Sequence, residues 1–269
     1  MRGALPLLLC AAALAGPAHA QRPELLTQTE LRVCADPANL PFSNDQKAGF
    51  ENKVAAIIAG DLELPVTYVW FPQTVGFVRN TLRTRACDLV MGAVAGDAEM
   101  DTTTAYYRAG YMLVTRAADG IGAHAVDDPA LAEKRFGYIA ATPPTDLLLK
   151  HHLLDHATSY ALTVDTRVEN PARHMLTDLL EGKIDVALVW GPIVQYAITH
   201  DHLKLTAVRL DGEADAPRLD YAIAMGVRAG EPEWRRRINQ ALARHRAEID
   251  AVMASYGIEP LKGGSTAKP

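Results

Sequence analysis

The sequence is poor in the residues that catalysis and cofactor binding most often need. Among its 269 residues are four serines and three cysteines, and aromatics make up only 6%. No Gly-x-Ser-x-Gly elbow, His-Glu-x-x-His or Cys-x-x-Cys occurs, nor a phosphate-cradling Gly-rich loop or dinucleotide fingerprint. Enzymatic function therefore has no positive support, and no site for a cofactor is offered. An excess of positive charge is also missing: 27 Lys and Arg face 32 Asp and Glu, a formal net charge of −5. With no basic patch, nucleic acid is a poor partner. The one long apolar run, LPLLLCAAALA, is too short to span a membrane.

That run follows Arg2 and precedes Ala18-His19-Ala20. A basic start, a short apolar centre and an Ala-x-Ala end predict a secretory signal peptide over residues 1–20, cleaved after Ala20. A lipoprotein reading of Cys10 is opposed by Leu9, too bulky for the position before a lipidated cysteine. The rest is long enough for one large domain or two small ones. Cys34 and Cys87 remain, each on or beside a predicted strand. In an oxidising compartment such a pair predicts one disulfide; two buried free thiols are the alternative.

Strand and helix patterns alternate along the chain. LRVCA, VTYVWF, DLVMGAV and YMLVT read as strands. Phe50, Val54, Ile57, Ile58 and Leu62 fall on one helix face, and a further helix is expected near 76–85. The alternation restarts with FGYIA, the helix TDLLLKHHLLDH, the short strand ALTV, the helix ARHMLTDLLEG and the strand IDVALVW. YAIAMGV is a last strand, and EPEWRRRINQALARHRAEIDAVMASYG a long closing helix ended by Gly257. The tail KGGSTAKP is expected to be disordered. This predicts an α/β chain with a mostly parallel sheet.

NTLRTRACDLVMG and TDLLEGKIDVALVWG echo each other about 100 residues apart: helix, polar turn, Asp, apolar strand, Gly. Two similar lobes would explain the echo; coincidence of a common pattern is the alternative. The expected division is 21–117 with 215–269 as lobe 1 and 118–214 as lobe 2. Two crossings near 116–120 and 210–217 would form the hinge. Asp88 and Asp185 open the echoed strands, where a structural role at the turn is expected.

Loops leaving the carboxyl ends of parallel strands are where such folds bind ligands. Candidates at those exits are Asp36, Asn39, Phe42 and Glu51; Trp70 and Phe71; Gly92; Thr142 and Asp146; and Trp190 with Gly191. Tyr106 and Tyr107 follow the third strand. Core packing is the alternative for several of these rings, Phe50 and Trp70 above all. His152 and His156, four apart on the expected helix, could share a metal; a solvated helix end is the commoner reading, and no metal is assigned.

The plan resembles the periplasmic solute-binding proteins of ABC transporters in the class that binds polar amino acids, a two-lobe type II fold with a hinge of two crossings. GFENKVAAIIAGDL and CDLVMGAVAGDAEMDTTTAYY carry that resemblance from about residue 31 to residue 261. Two departures stand out. Met100 stands where the family has a carboxylate-clamping Arg, and Trp190-Gly191 where it has an ammonium-holding acid. Met cannot replace a bidentate guanidinium. LRVCADPANLPFSN, GFENKVA, FVRNTL, CDLVMG and DVALVWGP resemble more narrowly the MxaJ/XoxJ family, quinoprotein-dehydrogenase-associated and solute-binding-like. That resemblance implies a non-catalytic, monomeric periplasmic protein. Its partner would be a pyrroloquinoline-quinone (PQQ)-dependent methanol or alcohol dehydrogenase, which it activates, assembles or matures. The quinone and metal would belong to the dehydrogenase. Trp190, Phe42, Phe50, Trp70, Phe71, Tyr106 and Tyr107 would then line an aromatic rather than an ionic cleft, suited to a partner segment. A periplasmic receptor for a small molecule other than an amino acid is the second reading.

Overall fold

The structure is a computed structural model that describes residues 28–210 and 212–259. The expected signal peptide and the tail KGGSTAKP lie outside the described residues. In chain order the elements are β1 (Leu31–Ala35), β2 (Ala38–Asn39), β3 (Ser43–Asn44), α1 (Phe50–Asp61), β4 (Val66–Trp70), α2 (Phe77–Asn80), β5 (Leu89–Val94), β6 (Asp101–Thr102) and β7 (Tyr107–Arg116). They continue with β8 (Phe136–Ile139), α3 (Pro143–Lys150), β9 (Ala157–Tyr160), α4 (Pro171–Leu180), β10 (Val186–Trp190), α5 (Gly191–Thr199), β11 (Leu205–Arg209), β12 (Asp220–Val227), α6 (Pro232–Arg244) and α7 (Arg246–Ser255).

One curled sheet runs β4-β1-β5-β12-β7-β10-β8-β9, with β6 beside β12 and β11 beside β7. It is mixed, not mostly parallel: β12 runs antiparallel to β5 and β7, and β7 antiparallel to β10 and β11. β7 joins the two lobes. Its first residues, Tyr107 to Gly110, pair with β12; from Tyr111 onward it pairs with β10 and β11. The chain crosses back between β11 and β12. The change of partner in β7 thus precedes 116–120 and falls inside an unbroken strand, so no turn residues advertise it. The hinge is tight: a Cβ on Gly191 would sit 2.9 Å from the Gly110 carbonyl.

Each lobe has its own core. Leu31, Val33, Phe50, Val54, Ile58, Met225, Trp234 and Ile238 fill the first. In the second, β10 is apolar on both faces. Val186 and Leu188 pack with Phe136 and Leu147, while Ala187 and Val189 pack with Met175 and Leu179. A strand buried on both faces reads as an unbroken apolar run, as VALVW does.

Four expected elements differ. The helix near 76–85 shrinks to Phe77–Asn80 before a run of turns. The helix TDLLLKHHLLDH starts from Thr142 as its N-cap, with two prolines in the first turn, and stops at Lys150 because His152 takes φ +56°. His152 and His156 therefore share no helix face. The expected strand ALTV is irregular; the strand is the preceding ATSY, paired with β8. The closing helix is two, broken at His245, whose ring reaches Asp61 and Glu248.

The echoed segments are structurally equivalent. The Asp88 N–H donates to the Arg32 carbonyl at 2.7 Å, and Arg32 Nε returns to the Asp88 carboxylate at 2.8 Å. The Asp185 N–H donates to the Arg135 carbonyl at 2.8 Å, and Arg135 Nε returns at 2.9 Å. Both aspartates thus tie the start of a strand to its neighbour, the structural role expected of them.

Candidate functional site

Between the lobes lies a cleft of about 650 Å³. Its aromatic wall comes from three strands that meet at the hinge: Tyr111 of β7, Trp190 of β10 and Tyr221 of β12. The Trp190 ring stands 5.1 Å from Tyr111, edge to face, and 6.1 Å from Tyr221. Phe42, from the turn between β2 and β3, also lines the cleft and packs on Phe50 at 5.5 Å. Such edge-to-face and tilted pairs are the favoured arrangements of aromatic rings. Val94, Ile139, Leu162, Val164 and Ile193 extend the apolar lining, and Val94 and Leu162 are 41% and 53% exposed.

The lining contains no Lys or Arg, and Glu169 is its one carboxylate. Most of its polar groups already have partners within the chain. Thr142 donates to the Ile139 carbonyl at 2.6 Å. Asn39 donates to Gln73 at 3.2 Å, Asn170 caps α4 through the Arg173 N–H, and the Tyr221 hydroxyl donates to the Arg218 carbonyl. Burial pushes the Tyr111 hydroxyl up to about 12, against the pull of its bond with Thr142, so it stays protonated. A ligand carboxylate would find no cation here, and desolvating it unpaired would be costly. Met100 lies away from the cleft, its sulfur packed over Gly226 in a small core around Cys34 and Cys87.

The sequence-predicted residues separate into three groups. Asn39, Phe42, Thr142 and Trp190 line the cleft. Asp36, 2% exposed, sits just behind it and binds the backbone of Gln73 and the hydroxyl of Thr166, both lining residues. Gly191 is at the hinge. The others are elsewhere. Tyr106 and Tyr107 are core residues at 1% and 2% exposure. Trp70 stacks on Tyr68 at 4.6 Å, Phe71 leans on Phe77, and Asp146 is exposed on α3. Glu51 lies in the lobe 1 core, its carboxyl over Gly92, where a Cβ would come within 2.6 Å of Glu51 Oε1. Sequence reasoning missed Tyr111, Tyr221 and Thr166. The two tyrosines were inside expected strands, but the crossing that brings those strands to the cleft left no mark. Thr166 lies in a loop with no local signal.

Glu51 leads to a first prediction. Burial, and next the charge of Asp36, raises its carboxyl from the ordinary 4.5 to about 8. Between those values the folded chain holds a proton that the unfolded chain has lost. Stability should therefore fall as pH rises through that window, by up to about 1.4 kcal/mol per pH unit. Glu51→Gln, neutral and of equal volume, should flatten this slope, as urea unfolding across the window would measure. An unchanged slope would mean that Glu51 is already ionised in the fold.

Comparison with known proteins agrees with this architecture. Residues 31–258 match the family described as bacterial extracellular solute-binding proteins, family 3. Protein MoxJ of Paracoccus denitrificans is 31% identical over 93% of this chain and 95% of its own. The crystal structure of the periplasmic binding protein XoxJ from Methylobacterium extorquens AM1 superposes with a TM-score of 0.73 at 36% identity, covering 86% of this chain and 99% of that one. MxaJ from Methlophaga aminisulfidivorans MPT gives 0.73 at 25% identity, over 86% of this chain and 100% of that one. The chain therefore belongs to family 3 of the bacterial extracellular solute-binding proteins and, within it, to the group of MoxJ, MxaJ and XoxJ.

Proposed function

We propose that the protein is a non-catalytic periplasmic accessory protein, exported by a cleaved signal peptide and acting as a monomer. It binds a PQQ-dependent methanol or alcohol dehydrogenase through its cleft and activates, assembles or matures it. Kinship with MoxJ, MxaJ and XoxJ supports the setting. The observation that carries the reading is the cleft itself: four aromatic rings, aliphatic walls and no cation, in a fold whose amino-acid binders need charged anchors. Its two lobes would close on a partner segment about β7 and the β11–β12 crossing. Aromatic anchors in a desolvated pocket dominate such contacts, and Trp190 is the central one.

The test is a titration of the mature protein into the purified dehydrogenase, following binding and turnover together. Trp190→Ala should weaken binding by about 30-fold, the equivalent of ~2 kcal/mol, while leaving the circular dichroism spectrum unchanged. Binding unaffected by the substitution would move the interface to the outer lobe surfaces; no binding at all would overturn the reading.

The second reading, a receptor for a neutral aromatic or apolar small molecule, is favoured by the size of the cleft alone. A ligand at 100 times its dissociation constant would stabilise the fold by about 2.7 kcal/mol, a readily measured shift in melting temperature.

A further inference from the structure

Asp36 leaves β1 and is clamped from both sides. Its N–H donates to Ser43 Oγ at 3.1 Å, and Ser43 Oγ donates back to the Asp36 carbonyl at 2.8 Å. Both oxygens of its carboxylate accept hydrogen bonds. Oδ1 accepts the Ala38 N–H at 2.9 Å and the Thr166 hydroxyl at 2.7 Å, and Oδ2 accepts the Gln73 N–H at 2.7 Å. Ala38 and Gln73 belong to the lobe of β1 and β4. Thr166 comes from the other lobe, on the loop between β9 and α4, 130 residues away in sequence. That loop is built to present it. Asp165 accepts the N–H and guanidinium of Arg167 through its carboxylate, and the N–H groups of Val168 and Glu169 through its carbonyl. Two rigid loops thus meet through one hydroxyl. Among the described residues, the other side-chain contacts joining the lobes away from the aromatic wall include Arg209 with Asp220 and Tyr196 against Tyr256, and none of these four residues lines the cleft.

We propose that Asp36 and Thr166 form an interlobe latch, made wholly of the chain's own atoms, that holds the two lobes together beside the cleft and must break before they part to admit a ligand or partner segment. Asp36 is thereby a structural anchor for closure and not a contact for a charged ligand, because both its oxygens are held by the chain's own donors and it is only 2% exposed. This holds whichever partner the cleft takes. A hydrogen bond to a carboxylate is among the stronger ones, and removing it should change the open-to-closed ratio by about tenfold or more.

The experiment places spin labels at Ala56→Cys on α1 and Leu149→Cys on α3, both exposed and one on each lobe. Pulsed dipolar spectroscopy then reads the distance distribution. Thr166→Val, which keeps the shape and removes the hydroxyl, should enlarge the long-distance population by about tenfold relative to the short one. Thr166→Ser, which keeps the hydroxyl, should retain the wild-type distribution. A Thr166→Val distribution identical to wild type would overturn the latch. So would a Thr166→Ser variant that opens as far as Thr166→Val, since the hydroxyl would then not be the group responsible.

Discussion

Replacing both cysteines, as Cys34→Ala with Cys87→Ala, is expected to cost about 4 kcal/mol of stability. The bond joins residues 53 apart, and the chain-entropy relation for a closed loop of that length gives roughly that value. β1 and β5 are parallel neighbours, with Cys34 opposite Val90, and the Cα atoms of the two cysteines stand 5.4 Å apart, within the usual range. For a chain of this size the loss corresponds to a fall in melting temperature of roughly 8–16 °C. Reduction of the wild type without substitution separates the cross-link from the packing. Both sulfurs lie among Phe77, Leu82, Val90 and Met100, at 2% exposure or less, and reduction keeps that volume filled. A drop of under about 3 °C on full reduction would mean that the loop stays restrained by other contacts. The enclosed segment carries Asp36, Asn39, Phe42 and Gln73, part of one lobe's share of the cleft and that lobe's side of the latch. Reduction should therefore weaken the cleft before it unfolds the lobe.

Local chemistry explains which parts of this fold were legible. LRVCA, DLVMGAV and VALVW announce strands because a strand covered on both faces needs apolar residues throughout. The disulfide was expected from two cysteines on or beside such strands, and it joins Cys34 of β1 to Cys87 just before β5. Features created by distant parts of the chain were hidden. β7 reads as YMLVT, yet it begins four residues earlier at Tyr107, because β12 returns from the far end of the chain to pair with it. β11 had no expected element for the same reason: LTAVR is held by β7, not by its own pattern. The break in the closing helix depends on His245 reaching Asp61, a contact across 184 positions. At the site, Trp190 was visible because a Trp before Gly-Pro at a strand exit is unusual. Asp36 was visible too, but its partner Thr166 was not. A hydroxyl in a polar loop has no signature until the fold brings it against a carboxylate.

The echoed aspartates lead to the second large effect. Asp88→Asn is expected to cost about 3–5 kcal/mol, and Asp185→Asn only roughly 1–2 kcal/mol, although both grip a neighbouring arginine in the same way. Burial makes the difference. Asp88 is 1% exposed and receives Arg32 bidentately at 2.8 Å and Arg228 at 2.8 Å, while its carbonyl accepts the Trp234 indole at 3.1 Å. The Arg228 side chain is only 10% exposed, so losing the Asp88 charge leaves a cation in the interior with Glu231 as its remaining counter-ion. Removing one partner of a buried pair exposes the other to the full desolvation penalty. Asp185 is held by Arg135, half exposed, and by Arg116, and water can take over from both. Urea unfolding of the two variants side by side would measure the difference. Equal losses would show that strand registration, common to both sites, sets the cost and burial does not. A larger loss at Asp88 would place the greater electrostatic stake in the lobe that carries Asp36, the disulfide and the anchor end of the latch.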